Sequence, residues 1–191
     1  HLGGNIETYG VGSHGVYNSV MSNTIGAIEY KSKSVLDNDI DGTENPVSII
    51  THGDSSAVLY NKESDIDLKN GGIYKALGKE SVVLYNKDGN ISITGNALLE
   101  SGDSGTLIMS DGGRINLDGD ITYNVRNNSV FAFVKGNAGI KVSLIGGNQT
   151  LNLEDGSVGF IYDGDSSDTQ QDSVYNYLRD NFQGLEHLDV N

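Results

Sequence analysis

A short acidic segment has the residue types and spacing of a calcium-binding loop. The segment DNDIDG, residues 37–42, places Asp37, Asp39 and Asp41 at alternate positions before a glycine. Alternating carboxylates and a glycine turn can wrap oxygen ligands around a hard cation. The twelfth loop position is normally a bidentate glutamate, and here it is Ser48. We therefore predict no cofactor and no metal, with calcium at Asp37, Asp39 and Asp41 as the alternative to a solvated acidic turn.

A second motif, GDSG at residues 102–105, imitates the nucleophile motif of chymotrypsin-like serine proteases. It aligns with GDSS at residues 53–56 and GKES at residues 78–81, so the three segments read as the same turn repeated along the chain. A catalytic serine also needs a histidine base held by an acid. Because no histidine is marked for that role by its sequence context, we interpret Ser104 as a turn residue.

The structural elements that would position these candidate residues are predicted from sequence repeats. AVLYNKESDIDL begins at Ala57, and the similar VVLYNKDGNISI begins 25 residues later at Val82. Self-similarity at this period is typical of stacked repeat architectures. Sliding the chain against itself predicts four columns of equivalent residues: Leu59, Leu84, Ile108, Phe133 and Ile161; Tyr60, Tyr85, Met109, Val134 and Tyr162; Ile66, Ile91, Ile115 and Ile140; and Leu68, Ile93, Leu117 and Val142.

The columns predict an all-β fold, a right-handed parallel β-helix of about seven coils of about 24–28 residues each, in which like side chains stack at about 4.8 Å. The chain reads as one segment with irregular coils over 1–50, regular coils over 51–163, a helical excursion over 164–184 and a return strand over 185–191. In the irregular part, GVYNS at residues 15–19 resembles GIYKA at residues 72–76.

The excursion is predicted from Val174, Leu178 and Phe182, which lie at the i, i+4 and i+8 positions of a helix. Its apolar stripe needs something to cover, so it is either a packing element or a recognition appendage. As binding residues we predict Tyr175, Tyr177 and Arg179, in a stretch that the coil does not require.

The tyrosine column has two interpretations. An exposed aromatic row can line a groove for a sugar or a protein. Met109 and Val134 occupy the same predicted column, which favours packing over recognition. Asn61 and Asn86 follow the tyrosines and predict a short hydrogen-bonded ladder along the solenoid axis.

The composition of the whole chain excludes or disfavours several classes of function. A net charge of −14 disfavours nucleic acid and anionic membrane surfaces as partners. No run of apolar residues is long enough to span a membrane, and the absence of cysteine excludes a disulfide scaffold and a thiolate zinc site. The three arginines and the turn aspartates do not converge on one coil position, so we predict that the chain is not an enzyme.

Phrases such as GGIYKA, SGTLIMSDGGRINLDG and NQTLNLEDGSVG, in coils without cysteine and almost without proline, resemble the passenger domain of a type V autotransporter. The texture is similar to that of very large fusobacterial surface adhesins and vacuolating-toxin-like passengers, and it covers most of residues 10–162. The resemblance implies a β-helix exported through an outer-membrane barrel and displayed at the cell surface.

From the repeats and the resemblance we expect a monomeric, non-enzymatic adhesin or stalk segment that binds a host or bacterial surface protein or a glycan. The alternatives are a phage tailspike or polysaccharide-degrading β-helix, a purely structural spacer, and a secreted toxin passenger. A tailspike or degrading enzyme would need an acidic groove.

Overall fold

A computed structural model describes residues 4–25, 28–32, 35–37, 39–40, 43–44, 46–135, 139–143 and 147–163. These residues contain strands and no helix. In chain order the strands are β1 (Gly4–Thr8), β2 (Val16–Ser19), β3 (Met21–Ile25), β4 (Ile28–Ser32), β5 (Val35–Asp37), β6 (Asp39–Ile40), β7 (Thr43–Glu44), β8 (Val47–Thr51), β9 (Ala57–Lys62), β10 (Asp65–Leu68), β11 (Gly72–Ala76), β12 (Val82–Lys87), β13 (Asn90–Thr94), β14 (Ala97–Ser101), β15 (Thr106–Asp111), β16 (Arg114–Asp118), β17 (Ile121–Val125), β18 (Val130–Lys135), β19 (Gly139–Ser143), β20 (Gln149–Leu153) and β21 (Val158–Asp163).

Three parallel sheets form the walls of a β-solenoid, which confirms the predicted all-β class and parallel β-helix. Sheet one has the order β1-β8-β11-β14-β17-β20, sheet two β2-β9-β12-β15-β18-β21, and sheet three β5-β10-β13-β16-β19. The chain visits the sheets in turn and then starts the next coil. The described residues make about four complete turns, so the predicted count of about seven coils is not confirmed.

Alternating patterns explain why the third wall forms where the sequence predicts it. In DIDL and NISI each apolar residue is flanked by polar ones, so only one face can turn inward. Ile66 pairs with Ile91, and Ile91 with Ile115, in register. All three are at most 1% exposed. Each buried side chain contributes about 1.5–3 kcal/mol, and the coils above and below supply the cover.

The predicted register of sheet two is wrong after its fourth strand, β15. Leu59, Leu84 and Ile108 do share a column, but the next members are Ala132 and Phe160. The segment VFAFV, residues 130–134, is continuously apolar, so hydrophobicity alone does not fix which residues point inward. A slip of one residue exchanges the two faces of a strand.

The interior accepts the small Ala132 because its neighbour is large. Phe131 is 4% exposed and meets Tyr123 edge to face, with ring centroids 5.2 Å apart. Ala132 itself is fully buried. A large residue beside a small one keeps the packing density of the core close to its usual value.

Before β8, the irregular N-terminal part contributes one strand to each wall, β1, β2 and β5, and two hairpins. β3 pairs antiparallel with β4, and β6 with β7. The predicted equivalence of residues 15–19 with residues 72–76 is wrong, because Tyr17 pairs with Tyr60 in sheet two whereas β11 belongs to sheet one. The predicted helix over 164–184 and return strand over 185–191 lie outside the described residues.

The protease-like GDSG segment is a turn between walls, as the repeat predicts. Ser104 has a left-handed φ of 57°, and Ser55 and Glu80 hold φ values of 52° and 54° at the equivalent positions of two other coils. Backbone hydrogen bonds join successive turns, including the one from Ser104 N to Asn127 O at 3.0 Å. The turn prediction is therefore confirmed.

Candidate functional site

The most distinctive surface of the described solenoid is a row of outward-facing side chains on sheet two. Its members pair in register on six successive strands, and we call them the outer aromatic row: Tyr17, Tyr60, Tyr85, Met109, Phe133 and Ile161. The residues on either side of each member point inward; those beside the first five members, such as Leu59 and Asn61, are buried, and Phe160 and Tyr162 beside Ile161 are partly buried. Five strand spacings make the row about 24 Å long.

The predicted tyrosine column is corrected by this register. Phe133 and Ile161 occupy it in place of Val134 and Tyr162. Tyr17 is 57% exposed, and the other members are partly exposed. The column therefore lies on the outside of the solenoid. Val134 is not one of its members, so this residue does not decide between packing and recognition.

The tyrosine rings use their flat faces on each other. The centroids of Tyr17 and Tyr60 are 4.7 Å apart with an interplanar angle of 9°, and those of Tyr60 and Tyr85 are 4.6 Å apart at 17°. Burial, followed by the nearby Tyr60 and Asp111, raises the pKa of Tyr85. Both faces of the Tyr60 ring are therefore occupied by neighbouring rings, as is one face of Tyr85.

His14 lies beside the first two members of the row, Tyr17 and Tyr60. Its ring lies 5.0 Å from that of Tyr60 and 5.9 Å from that of Tyr17. His14 Nδ1 accepts a hydrogen bond from the backbone nitrogen of Ala57 at 3.0 Å. An imidazolium ion cannot accept this bond, and burial lowers the pKa of His14. The neutral ring is thus the form that fits.

Replacing His14 by asparagine should make the fold less sensitive to acid. A lowered folded-state pKa means that the unfolded chain takes up the proton first, so stability falls as the pH drops through about 6.5. The Oδ1 atom of the variant His14→Asn can accept from Ala57 without titrating. Thermal unfolding followed by circular dichroism between about pH 7.5 and about pH 5.5 should show a smaller acid-induced loss for this variant than for the wild type.

His52→Asn is the matched control for this prediction. His52 Nε2 lies 3.5 Å from a carboxylate oxygen of Glu7, and the His52 ring stacks on Tyr9, which is not a member of the outer aromatic row. Removing this ring should not reduce the acid-induced loss. Equal acid sensitivity of His14→Asn and the wild type would show that the Ala57 contact does not control the response.

A ladder of buried asparagines lies directly behind the row and holds its strands in register. Asn18 Nδ2 donates to Asn61 Oδ1 at 3.1 Å, and Asn61 Nδ2 donates to Asn86 Oδ1 at 2.9 Å. Each ladder residue is at most 4% exposed. The predicted two-residue ladder is confirmed and extended by Asn18, which the wrong alignment of residues 15–19 had concealed.

A second candidate site is a cleft of about 350 Å³ between sheet one and the adjoining turns, lined by Leu77, Lys79, Glu100, Asp103, Arg126 and Glu154. Two of its carboxylates, those of Glu100 and Glu154, are held in ion pairs. Arg126 donates to Glu100 through Nε at 3.1 Å and through Nη2, and to Glu154 through Nη1 at 3.0 Å. Lys75 Nζ lies 3.0 Å from the second oxygen of Glu100.

The electrostatics of the cleft do not suit glycoside hydrolysis. Burial raises the pKa of Glu100, but the hydrogen bonds from Arg126 and Lys75 outweigh it, and the net pKa lies below the usual value. A general acid needs a raised pKa. We therefore interpret the charged residues of the cleft as a cluster of ion pairs that connects neighbouring coils.

The binding residues predicted from sequence are not placed. Tyr175, Tyr177, Arg179 and Asp41 lie outside the described residues. Asp37 ends β5 and Asp39 begins β6, whose partner β7 pairs Asp39 with Glu44. Within the described ranges there is no group of three metal-ligating side chains, and calcium at Asp37, Asp39 and Asp41 stays an untested alternative.

Comparison with known proteins adds no relative. No family model, no curated protein and no solved structure matches this chain. Among the described residues there is also no helix that is long and apolar enough to cross a membrane.

Proposed function

We propose that this chain is a non-enzymatic adhesin or stalk segment of an autotransporter passenger, displayed at the cell surface, and that the outer aromatic row is the face for a protein partner. The observation that carries the proposal is the continuous outward row on six strands. Apolar side chains repeated at one spacing on a rigid wall form a preorganised, ribbon-shaped surface. Such surfaces lose little conformational freedom on binding.

A protein fits this row better than a glycan does. Sugars pack on the open faces of aromatic rings, and the faces of Tyr60 are covered by Tyr17 and Tyr85 at 4.7 and 4.6 Å. Tyrosine hydroxyls together with Met109 and Phe133 offer the mixture of polar and apolar contacts that is typical of protein interfaces. Tyr175, Tyr177 and Arg179 in the predicted excursion remain a second proposed contact region.

The test is binding of the purified chain to immobilised fibronectin, laminin and collagen by surface plasmon resonance, with a glycan array run in parallel. We expect saturable binding to a protein ligand. Phe133→Ser should weaken it at least about tenfold, because a central aromatic contact is worth about 1.4 kcal/mol or more.

Ile73→Ser is the matched control, since Ile73 is 40% exposed on sheet one and lies outside the row. This variant should bind within about twofold of the wild type. Equal losses for both variants, or binding on the glycan array alone, would contradict the assignment of the row to a protein partner. Saturable binding to no protein ligand would favour a passive spacer, and new reducing ends in polysaccharide mixtures would favour the degrading enzyme.

A further inference from the structure

Three tyrosines of the outer aromatic row form a continuous stack of rings on consecutive strands of sheet two. The ring centroids are 4.7 Å apart between Tyr17 and Tyr60 and 4.6 Å apart between Tyr60 and Tyr85, and the ring planes lie within 17° of parallel. Both pairs are also in register along the backbone. Each ring is therefore in contact with the ring of the next coil.

The reactive ring positions of Tyr60 and Tyr85 are close together. Burial raises the pKa of Tyr85, and so do the nearby Tyr60 and Asp111 and a hydrogen bond between the side chains of Tyr60 and Tyr85. The two hydroxyl groups are thus neighbours. In a phenoxyl radical the unpaired electron is shared between the oxygen and the ring carbons beside the hydroxyl-bearing carbon, so neighbouring hydroxyls bring two coupling positions together.

The stack is accessible to an oxidant. Tyr17 is 57% exposed, and Tyr60 and Tyr85 are partly exposed. Because the chain has no cysteine and no tryptophan, tyrosine and the two methionines are among its most easily oxidised side chains. Met109 follows Tyr85 in the row. Oxidation of methionine adds an oxygen atom, whereas coupling of two tyrosines removes two hydrogen atoms, so mass distinguishes the products.

We propose that the stack is a site of oxidative cross-linking, at which a haem peroxidase and hydrogen peroxide join neighbouring coils through a dityrosine bond, Tyr17 to Tyr60 or Tyr60 to Tyr85. The peroxidase removes one electron and one proton from each of two phenols, and hydrogen peroxide accepts both electrons and both protons to give two water molecules. The two radicals form a carbon–carbon bond between ring positions beside the hydroxyls. The ring protons then move to the oxygens, which restores both aromatic rings.

Coupling within one chain is favoured over coupling between two chains. Rings held in contact react at an effective concentration in the millimolar range or above, far above that of a dilute protein solution. The inference does not rest on the proposed function, because cross-linking requires contact between the rings and no adhesion partner. Its tests involve no adhesion ligand, so their failure leaves the proposed function untouched.

The first test treats the full chain at low micromolar concentration with a haem peroxidase and hydrogen peroxide. We expect a monomer in denaturing electrophoresis that shows dityrosine fluorescence and has lost two hydrogen atoms per bond. Tryptic digestion should release peptide 34–62, which holds Tyr60, bonded to peptide 80–87, which holds Tyr85, or to peptide 1–31, which holds Tyr17. No dityrosine, fluorescence in dimers alone, or bonds that map to other tyrosines would overturn the proposal.

A matched pair of variants tests the role of stacking. Tyr60→Phe removes the central phenol and leaves those of Tyr17 and Tyr85 two strand spacings apart, about 10 Å. It should lower the dityrosine yield at least about tenfold, since the two remaining phenols do not touch. Tyr9→Phe is the control, because Tyr9 is 69% exposed but stacks on His52 at 4.5 Å. Its yield should stay within about twofold of the wild type, and equal yields for the two variants would overturn the proposal.

Oxidation of the denatured wild type provides a measurement that does not depend on the folding of any variant. Unfolding separates the coils, so treatment in denaturant should abolish the bond between peptides 34–62 and 80–87. The same bond at an equal yield in the denatured chain would show that the ring stack does not direct the reaction, and the proposal would fail.

Discussion

Substituting alanine for Gly71 should cost at least about 3 kcal/mol of unfolding free energy, or prevent the chain from folding. A Cβ atom at this position would lie 1.8 Å from the carbonyl oxygen of Asn96, in the turn of the next coil. The φ of Gly71 is also +64°, a region that costs an alanine about 1–2 kcal/mol. Relief of the overlap would separate two coils and stretch the hydrogen bond from Gly72 N to Asn96 O.

Gly12→Ala separates the contribution of stacking from that of the backbone. Gly12 has a φ of +68°, and a Cβ atom there would meet nothing within 4 Å. This variant should therefore lose only about 1–2 kcal/mol. Denaturant unfolding monitored by circular dichroism gives both values. If the two variants lost equal stability, the close approach of the coils at Gly71 would not limit the fold.

The asparagine ladder gives the second large effect. Asn61→Asp keeps the size of the side chain but replaces a donor by a carboxylate oxygen that faces the Asn86 and Ser64 oxygens, to which Asn61 now donates at 2.9 and 2.7 Å. Asn61 is fully buried. We expect a loss of about 3–5 kcal/mol at neutral pH, because an uncompensated buried charge is among the most destabilising changes.

The stability lost in Asn61→Asp should increase as the pH rises. Burial raises the folded-state pKa of an introduced carboxyl group above its unfolded value of about 3.9, so the destabilisation is smallest below this pH and increases as the pH rises. Asn152→Asp is the matched control, because Asn152 Nδ2 donates to Asn124 Oδ1 at 2.9 Å across two coils on the exposed surface. That variant should lose less than about 1 kcal/mol and show little of this pH dependence. A similar loss at both sites would mean that burial does not set the strength of the ladder.

The sequence predicted the parts of the fold in which polar residues separate the apolar ones. Ile66 and Ile91 each stand between polar neighbours, so their inward direction and their pairing followed from period two alone. The turn reading of Ser104 followed because its segment repeats at the coil period. The first prediction rests on the alternation of polar and apolar residues and the second on repetition at a fixed spacing. Both patterns can be read from the sequence alone.

Where no polar residue separates the apolar ones, the predicted register was wrong. VFAFV offers five apolar side chains in a row, and aligning the repeats placed Phe133 in the column of Leu59, Leu84 and Ile108. Phe131 supplies the missing volume from the corner of the coil, a compensation visible only in three dimensions. The assignment of Val134 and Tyr162 to the tyrosine column failed for the same reason.

The N-terminal hairpins made it difficult to identify Tyr17 and Asn18 from the sequence as part of the candidate site. Tyr17 and Tyr60 are 43 positions apart, far from the period of about 25 in the regular coils, because β3 and β4 and then β6 and β7 intervene. The shared letters YN were the available signal. They are present in both segments, and they place Asn18 and Asn61 in one ladder.

The ion-pair cluster at Glu100 has a mechanical consequence. Its members Lys75, Glu100, Arg126 and Glu154 alternate in sign and belong to four successive coils. A solenoid pulled by its ends yields by peeling one coil from the next, since only neighbouring coils touch. Charges of alternating sign link each of these coils to the following one, so a force that opens one interface loads the next. The ion pairs of this cluster thus connect four coils along one wall and should oppose the separation of each coil from the next.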